Sequence, residues 1–398
     1  MNRTTFRGVL SVEEFRALWS AELLSVTGDQ FARVALVVLV FDRTGSAAMA
    51  GLTYALTFVP ALAGTLALSQ VADQRPRRQV VVFVDGLRAL VVAVMVIPGV
   101  DLLWQCVLVS VLSFVGGPYS AAQLALLRDL LSEEQYSVGM SLRQITVQAA
   151  QLAGVATGGL LSTAVSPQFC LAVNAFTFAA SALLLGKRIR SRPAPAPASS
   201  SGRFVADGVT LVWSDPRRRA IFVMTFLGVC YVVPEGIAVA YVSEMGHGAV
   251  VVGLVLASCN AGAVIGLPIF VRFVTPDRQR VALAVVCVAV GIPLVPIALV
   301  DGIFVAMVAF AVSGALWAAL VVMSASFLAE LLPDASRSRG MGLASSANVA
   351  AQGMGIGVSG LAAEVVNPSW VIAIAGAVSV PLALWPSLSW LRSTAPPR

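Results

Sequence analysis

The residues best suited to chemistry in this chain are charged side chains set inside apolar stretches. Glu22, Asp29 and Arg33 share one such stretch, at i, i+7 and i+11, which puts them on one helical face, with Asp29 and Arg33 an i, i+4 pair. At 1.5 Å per residue Asp29 is roughly 20 Å along that helix, near the middle of a bilayer whose hydrocarbon is about 30 Å thick. An ionisable group at that depth costs roughly 2.5–3.5 kcal/mol on insertion scales and is a functional candidate by default. Two readings follow for Asp29: a group that takes up and releases a proton as the space around it opens and closes, or the fixed partner of Arg33 in a neutralising ion pair. Glu22, nearer the start of the span, is either a second coupling group or an interfacial carboxylate.

A second intramembrane acid, Glu235, follows Pro234 in a later apolar stretch. Proline frees backbone groups and bends a helix, so Glu235 is placed either to line a cavity and take part in coupling or close enough to the surface to be hydrated. Arg143 stands with Gln144, Gln148 and Gln151 on one stretch. A guanidinium there suits an anionic or hydrogen-bonding substrate, or snorkels to the interface. Gln30, Gln148, Gln151 and Asn260, with Arg143, form the candidate substrate-binding set. The single histidine, His247, lies between Gly246 and Gly248 in a short loop, so a buried histidine relay is not expected.

Other chemistries lack their residues. There is no phosphate-binding glycine loop, no H-E-x-x-H or similar metal motif, and no Ser/His/Asp set to assemble around the lone histidine, so neither an enzyme nor a bound cofactor or metal is expected. The five cysteines fall singly in apolar segments with no C-x-x-C pair and read as small core residues.

The elements that must position these groups follow from composition. The chain has 398 residues, 58% hydrophobic and 12% charged, with mean hydropathy +0.88. An ordinary soluble domain is nearer ~25% charged, so the solvent for most of this surface is lipid. Windows of about 19 residues place spans near 15–41, 46–72, 79–99, 102–128, 136–163 and 167–187, then 217–242, 249–273, 280–300, 303–332, 338–363 and 368–391. The expected fold is an all-α membrane protein of twelve transmembrane helices: an N-terminal six-helix bundle over 1–187, a linker over 188–216 rich in Arg, Pro, Ala and Ser, and a C-terminal six-helix bundle over 217–398. The first span carries Glu22, Asp29 and Arg33, which is not the pattern of a cleavable signal peptide.

The net charge of +6 does not point to nucleic acid, because the basic residues sit in short loops between spans. Alternate loops collect the arginines while the others hold only Arg43, which by the positive-inside rule puts both termini in the cytoplasm of a cell-membrane protein.

Six spans, a basic linker and six more spans resemble the layout of the major facilitator superfamily. The loop after the second span reads Ser69, Asp73, Arg75, Pro76, Arg77, Arg78 and is similar to that superfamily's G-x-x-x-D-R-x-G-R-R loop, with both glycines replaced. Asp85 and Arg88 beyond it, Thr27-Gly28-Asp29, and Leu332-Pro333-Asp334 followed by Arg337, Arg339 and Gly340 resemble the branch that includes siderophore and macrolide exporters. The pattern departs from the best-studied proton/drug antiporters in two places: the fourth span lacks their buried arginine motif, and Val155 stands where their fifth span has proline.

The resemblance implies an alternating-access exporter, two halves rocking about a midplane cavity and an amphipathic small molecule (drug, antibiotic or siderophore-like) leaving as protons enter. Asp29 with Arg33 would couple the proton, seconded by Glu235 and Glu22. By the same resemblance Asp73, Arg77, Arg78, Asp85 and Arg88 form a cytoplasmic latch between halves, Asp73 meeting a helix N-terminus; the positive-inside rule alone also explains the arginines. Small-molecule substrate, protons and membrane lipid are the expected partners, and a monomer is the family expectation. A lipid or lysophospholipid flippase and a non-transporting membrane sensor are the alternatives.

Overall fold

A computed structural model describes residues 6–192, 204–274, 278–300, 302–333 and 337–393. Among these there is no strand, and all twelve expected windows fall on helix. The first half holds α1 (Phe6–Leu10), α2 (Glu13–Thr44), α3 (Ala47–Ala55), α4 (Val59–Gln74), α5 (Arg77–Met95), α6 (Leu102–Leu130), α7 (Glu133–Ala164) and α8 (Pro167–Arg188). After the linker come α9 (Phe204–Trp213), α10 (Pro216–Phe226), α11 (Gly228–Tyr231), α12 (Val233–Glu244), α13 (Ala249–Phe273), α14 (Gln279–Ala289), a 3-10 segment (Ile292–Ala298), α15 (Ile303–Leu331), α16 (Arg337–Ala362) and α17 (Pro368–Ser393).

Nine helical stretches among the described residues are long and apolar enough to cross a membrane. The other three, α5, α7 and α16, are 19, 32 and 26 residues long and carry more polar side chains. Large apolar side chains such as Phe176, Phe304 and Phe273 stand more than 70% exposed, which suits lipid and not water.

Two spans break where the sequence demands it. The second divides at 56–58, just before Pro60, and the seventh divides at Leu227, before Gly228, and again at Val232, just before Pro234. Proline has no N–H to donate and its ring crowds the preceding turn. Around the breaks of the seventh span the backbone donors stay bonded locally, as hydrocarbon requires: the Leu227 N–H donates to the Met224 carbonyl and the Glu235 N–H to the Val232 carbonyl. Pro293 and Pro296 likewise tighten 292–298 to a 3-10 segment.

The contacts divide the chain into two compact units. The first comprises described residues up to Val40 together with those from Leu56 up to the linker; its core packs α5 against α6 and α8, and α4 against α6, around Phe15, Leu126, Leu185 and Phe178. The second comprises Phe41–Ala55 with the described residues from α9 onward, and centres on Met224, Leu320, Cys287 and Trp390. The packing therefore groups the end of α2 and all of α3 with the second unit, although they precede the linker.

Within that unit Glu364, exposed after α16, closes the start of α3: its carboxylate accepts the Ser46 hydroxyl at 2.5 Å and the Ala48 N–H at 2.9 Å. The Ser46 hydroxyl and then the backbone donors hold the Glu364 carboxyl below the usual carboxylate range.

Glycine sets helix spacing at two crossings. A Cβ on Gly64 of α4 would fall 1.7 Å from the Phe114 carbonyl oxygen of α6, and one on Gly262 of α13 would fall 1.8 Å from that of Ala311 in α15.

Two outcomes are expected. Gly262→Val forces α13 off α15 and lowers the thermal unfolding temperature, by the ~1–3 kcal/mol of an overpacked core, whereas Gly86→Ala in α5, with nothing within 4 Å of the added methyl, leaves it unchanged or raised. Because the folded-state pKa of Glu364 is depressed, its stabilisation is present above the unfolded pKa and is lost as pH falls through the folded one. Glu364→Gln flattens the acid side of an unfolding-temperature profile below the ordinary glutamate pKa; an unchanged acid slope contradicts the cap.

Candidate functional site

Asp29 sits halfway along α2, where Gly28 lets α2 approach α8: a Cβ on Gly28 would fall 2.2 Å from the Thr177 hydroxyl. The approach brings the Asn174 amide to 3.5 Å from Asp29 Oδ1, donor to acceptor. Asp29, Arg33, Arg88 and Asn174 line one cavity of about 260 Å³ inside the first unit, with Ser113 and Gly116 of α6 on its far wall. Both guanidiniums act on the Asp29 carboxylate, Arg88 from α5 and Arg33 from its own helix.

Arg88 is held from three sides. Its guanidinium carbon lies 4.9 Å from the Tyr119 ring centroid and 5.3 Å from that of Phe178, within cation–π range. Its Nη1 is 3.8 Å from Asp85 Oδ1 one turn back, a loose pair. Asp85 itself is fully buried and accepts the Ser181 hydroxyl at 2.5 Å. Gly116 leaves room for the guanidinium, since a Cβ there would fall 2.3 Å from Arg88 Nη2. Two carboxylates, Asp29 and Asp85, thus share the neighbourhood of one fixed cation, and the cavity wall also carries the hydroxyls of Thr57 and Ser120. Such a site can hold a proton on either acid and hydrogen-bond a polar solute.

Two turns before Asp29, Glu22 is 5% exposed and paired with Arg143 of α7, Nη2 to Oε1 2.5 Å. Arg143 Nη2 also donates to Gln123 Oε1 at 3.4 Å, and the Trp19 indole donates to the Thr146 hydroxyl at 2.8 Å, tying α2 to α7. Glu22 is thus buried in the protein and ion-paired, and the charge of Arg143 is met inside the protein. Gln30 is buried against Gly154 of α7. Gln151 lies partly buried in α7, and the side chain of Gln148 lies outside those described. In the second unit Asn260 of α13 donates to the Leu256 carbonyl of its own helix, and Glu235 accepts the Tyr54 hydroxyl at 3.1 Å. His247 is exposed in the turn between α12 and α13.

The expected cytoplasmic group is split by depth. Arg77 pairs with Asp129 of α6 at 2.5 Å and Arg78 donates to the Gly186 carbonyl of α8, both at the start of α5. Asp85 and Arg88 are eight and eleven residues further on, about 12 and 16 Å along the axis, beside Asp29 rather than at the surface. This corrects their placement as surface residues, and counting residues from Pro76, where α5 can start, would have found it. The side chain of Asp73 lies outside those described. Asn174, Tyr119 and Ser181 are not singled out by the sequence; each is an uncharged polar group in an otherwise apolar span, Asn174 and Ser181 on α8 and Tyr119 on α6, and that was the available signal.

Comparison with known proteins agrees with this architecture. A family model described as Major Facilitator Superfamily matches residues 18–322. A curated relative described as the multidrug efflux pump Tap, from Mycobacterium tuberculosis and Mycobacterium bovis, is 23% identical over 359 residues, covering 85% of this chain and 84% of its own. Among solved structures, a POT family transporter in complex with 5-aminolevulinic acid superposes with a TM-score of 0.79 at 12% identity over 99% of both chains. A bacterial homologue of the iron transporter ferroportin, in an inward-facing state, gives 0.69 at 18% identity over 96% of this chain and 99% of its own.

The buried pair yields a double-mutant expectation. Arg143→Met alone leaves Glu22 charged and unpaired and lowers unfolding stability by on the order of 2–4 kcal/mol, while Glu22→Gln with Arg143→Met recovers most of the loss. Additive losses in a thermal unfolding cycle contradict the pairing.

Proposed function

We infer the activity from one premise, that this chain belongs to the Major Facilitator Superfamily and is a multi-pass membrane transporter of that fold. It exports an amphipathic small molecule across the cell membrane by alternating access, in exchange for protons, with both termini in the cytoplasm. The observation that carries this reading is the cavity in which Asp29 meets Arg88, Arg33 and Asn174. A carboxylate at membrane depth is retained against its insertion cost where it moves protons or binds solute.

In this reading the Asp29 carboxylate binds a proton arriving from outside and loses it to the inside. Arg88 and Arg33 favour the ionised form, and closure of the cavity favours the neutral one. Asp85 keeps Arg88 in reach of Asp29 and holds compensating charge when Asp29 is neutral. Serine, threonine and asparagine on the cavity wall give a substrate hydrogen-bonding groups, and the apolar side chains Leu36, Val92 and Met95 meet its non-polar part. The 23% identity to a protein described as a multidrug efflux pump supports export of such compounds. Glu235 with Tyr54, and Glu22 with Arg143, stand as secondary coupling sites.

Everted membrane vesicles, or proteoliposomes, carrying an imposed pH gradient and a panel of amphipathic dyes, antibiotics and siderophores test the reading. Gradient-driven transport is expected in the wild type and a loss of ten-fold or more in Asp29→Asn and in Arg88→Gln. Undiminished gradient-driven transport in Asp29→Asn removes that carboxylate from the coupling, and movement of labelled lipid without any gradient overturns the exporter reading.

A further inference from the structure

A second concentration of charge lies apart from the Asp29 cavity, at the end of the first unit where α2 begins, α5 begins and α8 ends. A recess of about 880 Å³ is walled there by Arg78, Lys187, Arg188 and Arg190, with Glu13 and Glu14. Both carboxylates are already committed. Glu13 is ion-paired with Arg188, and Glu14 accepts the Arg190 N–H at 2.8 Å and Arg192 Nη2 at 2.6 Å, an arrangement that straps the segment after α8 across the start of α2. Lys187 and Arg190 are exposed, and the charge of Arg190 is shared with Arg192 against the one carboxylate of Glu14. Arg78 Nε is buried without a hydrogen-bond partner. The recess thus keeps an excess of positive charge, and the starts of two long helices, α2 and α5, add their N–H ends to it.

We propose that this recess binds the phosphate headgroup of an anionic phospholipid such as phosphatidylglycerol. The shared chemistry of any ligand here is a phosphate ester, and two features favour a lipid over a free phosphate. The recess lies at the ends of membrane-length helices, the depth at which headgroups sit. Directly along α8 from Lys187, Leu183 and Phe176 follow on the same helical face, 62% and 71% exposed. That apolar stripe gives an acyl chain a path below the cations. Lys187 and Arg190 contact the phosphate oxygens, Arg78 contributes field and its free Nε–H, and the Glu13–Arg188 and Glu14–Arg192 pairs, with the Arg190 N–H on Glu14, fix the segment that carries them. The site is independent of the transport reading and binds a lipid whether or not Asp29 carries protons.

Native mass spectrometry of the purified full-length protein, offered equal phosphatidylglycerol and phosphatidylcholine, reads the site directly. The wild type is expected to retain phosphatidylglycerol preferentially, Lys187→Gln/Arg190→Gln to lower that retention about ten-fold or more, and the charge-preserving Lys187→Arg/Arg190→Lys to keep it. A control that removes two exposed cations elsewhere, Arg43→Gln/Arg392→Gln, is expected to retain the lipid as the wild type does. Equal retention in Lys187→Gln/Arg190→Gln, or an equal loss in the control, overturns the proposal. Complete displacement of the lipid by millimolar inorganic phosphate overturns the lipid assignment in favour of a free-phosphate site. An unfolding temperature in phosphatidylcholine micelles equal to that of the wild type shows that each variant is folded.

Discussion

Hydrocarbon solvates neither a carboxylate nor a guanidinium, and the interior of the first unit is arranged around that constraint. Glu22 and Arg143 meet at 2.5 Å, and Asp85 takes the Ser181 hydroxyl with Arg88 one turn away. Asp29 differs from them: it faces a cavity, with two guanidiniums nearby and a long contact to Asn174. A closely paired charge changes its protonation state at a higher cost, because neutralising one partner strands the other. A loosely compensated one beside open space can change its protonation state at modest cost, which sets Asp29 apart from the better-paired Glu22.

Packing serves the same end. Gly28 admits the Thr177 and Asn174 side chains to the turn that carries Asp29, and Gly116 leaves the volume that Arg88 fills. Tyr119 and Phe178 then offer ring faces to a cation that has no water to turn to. In the second unit the carboxylate lies beside a break: Glu235 follows the Val232 interruption and finds Tyr54, in the short helix before the interruption at 56–58. Broken backbone at membrane depth is tolerated only where protein or a cavity satisfies it, and here the break and the carboxylate fall together.

The spans were legible because hydropathy over about 19 residues is set by composition alone, and each expected window is mostly helical. The interruption at 56–58 was not read, since Pro60 alone does not say which turn gives way. Nor was the allegiance of Phe41–Ala55 to the second unit, which depends on Gly51 meeting Gly360 and on Glu364 capping Ser46, contacts some 300 residues apart in sequence. The place of Asp29 midway along its helix was plain from charge and helical rise, whereas its neighbours Arg88 and Asn174 come from other helices and convergence between helices leaves no periodicity. Motif similarity drew Arg88 toward the surface group; depth along α5 places it beside Asp29.

Proton movement measured together with solute movement tests the central claim most directly. In proteoliposomes enclosing a pH-sensitive dye, with no pH gradient imposed, an outward-directed gradient of a transported compound should shift the lumenal pH in step with its efflux, and the shift should vanish in Asp29→Asn. Efflux that proceeds in the wild type with the lumenal pH unmoved would contradict proton exchange at the buried carboxylate.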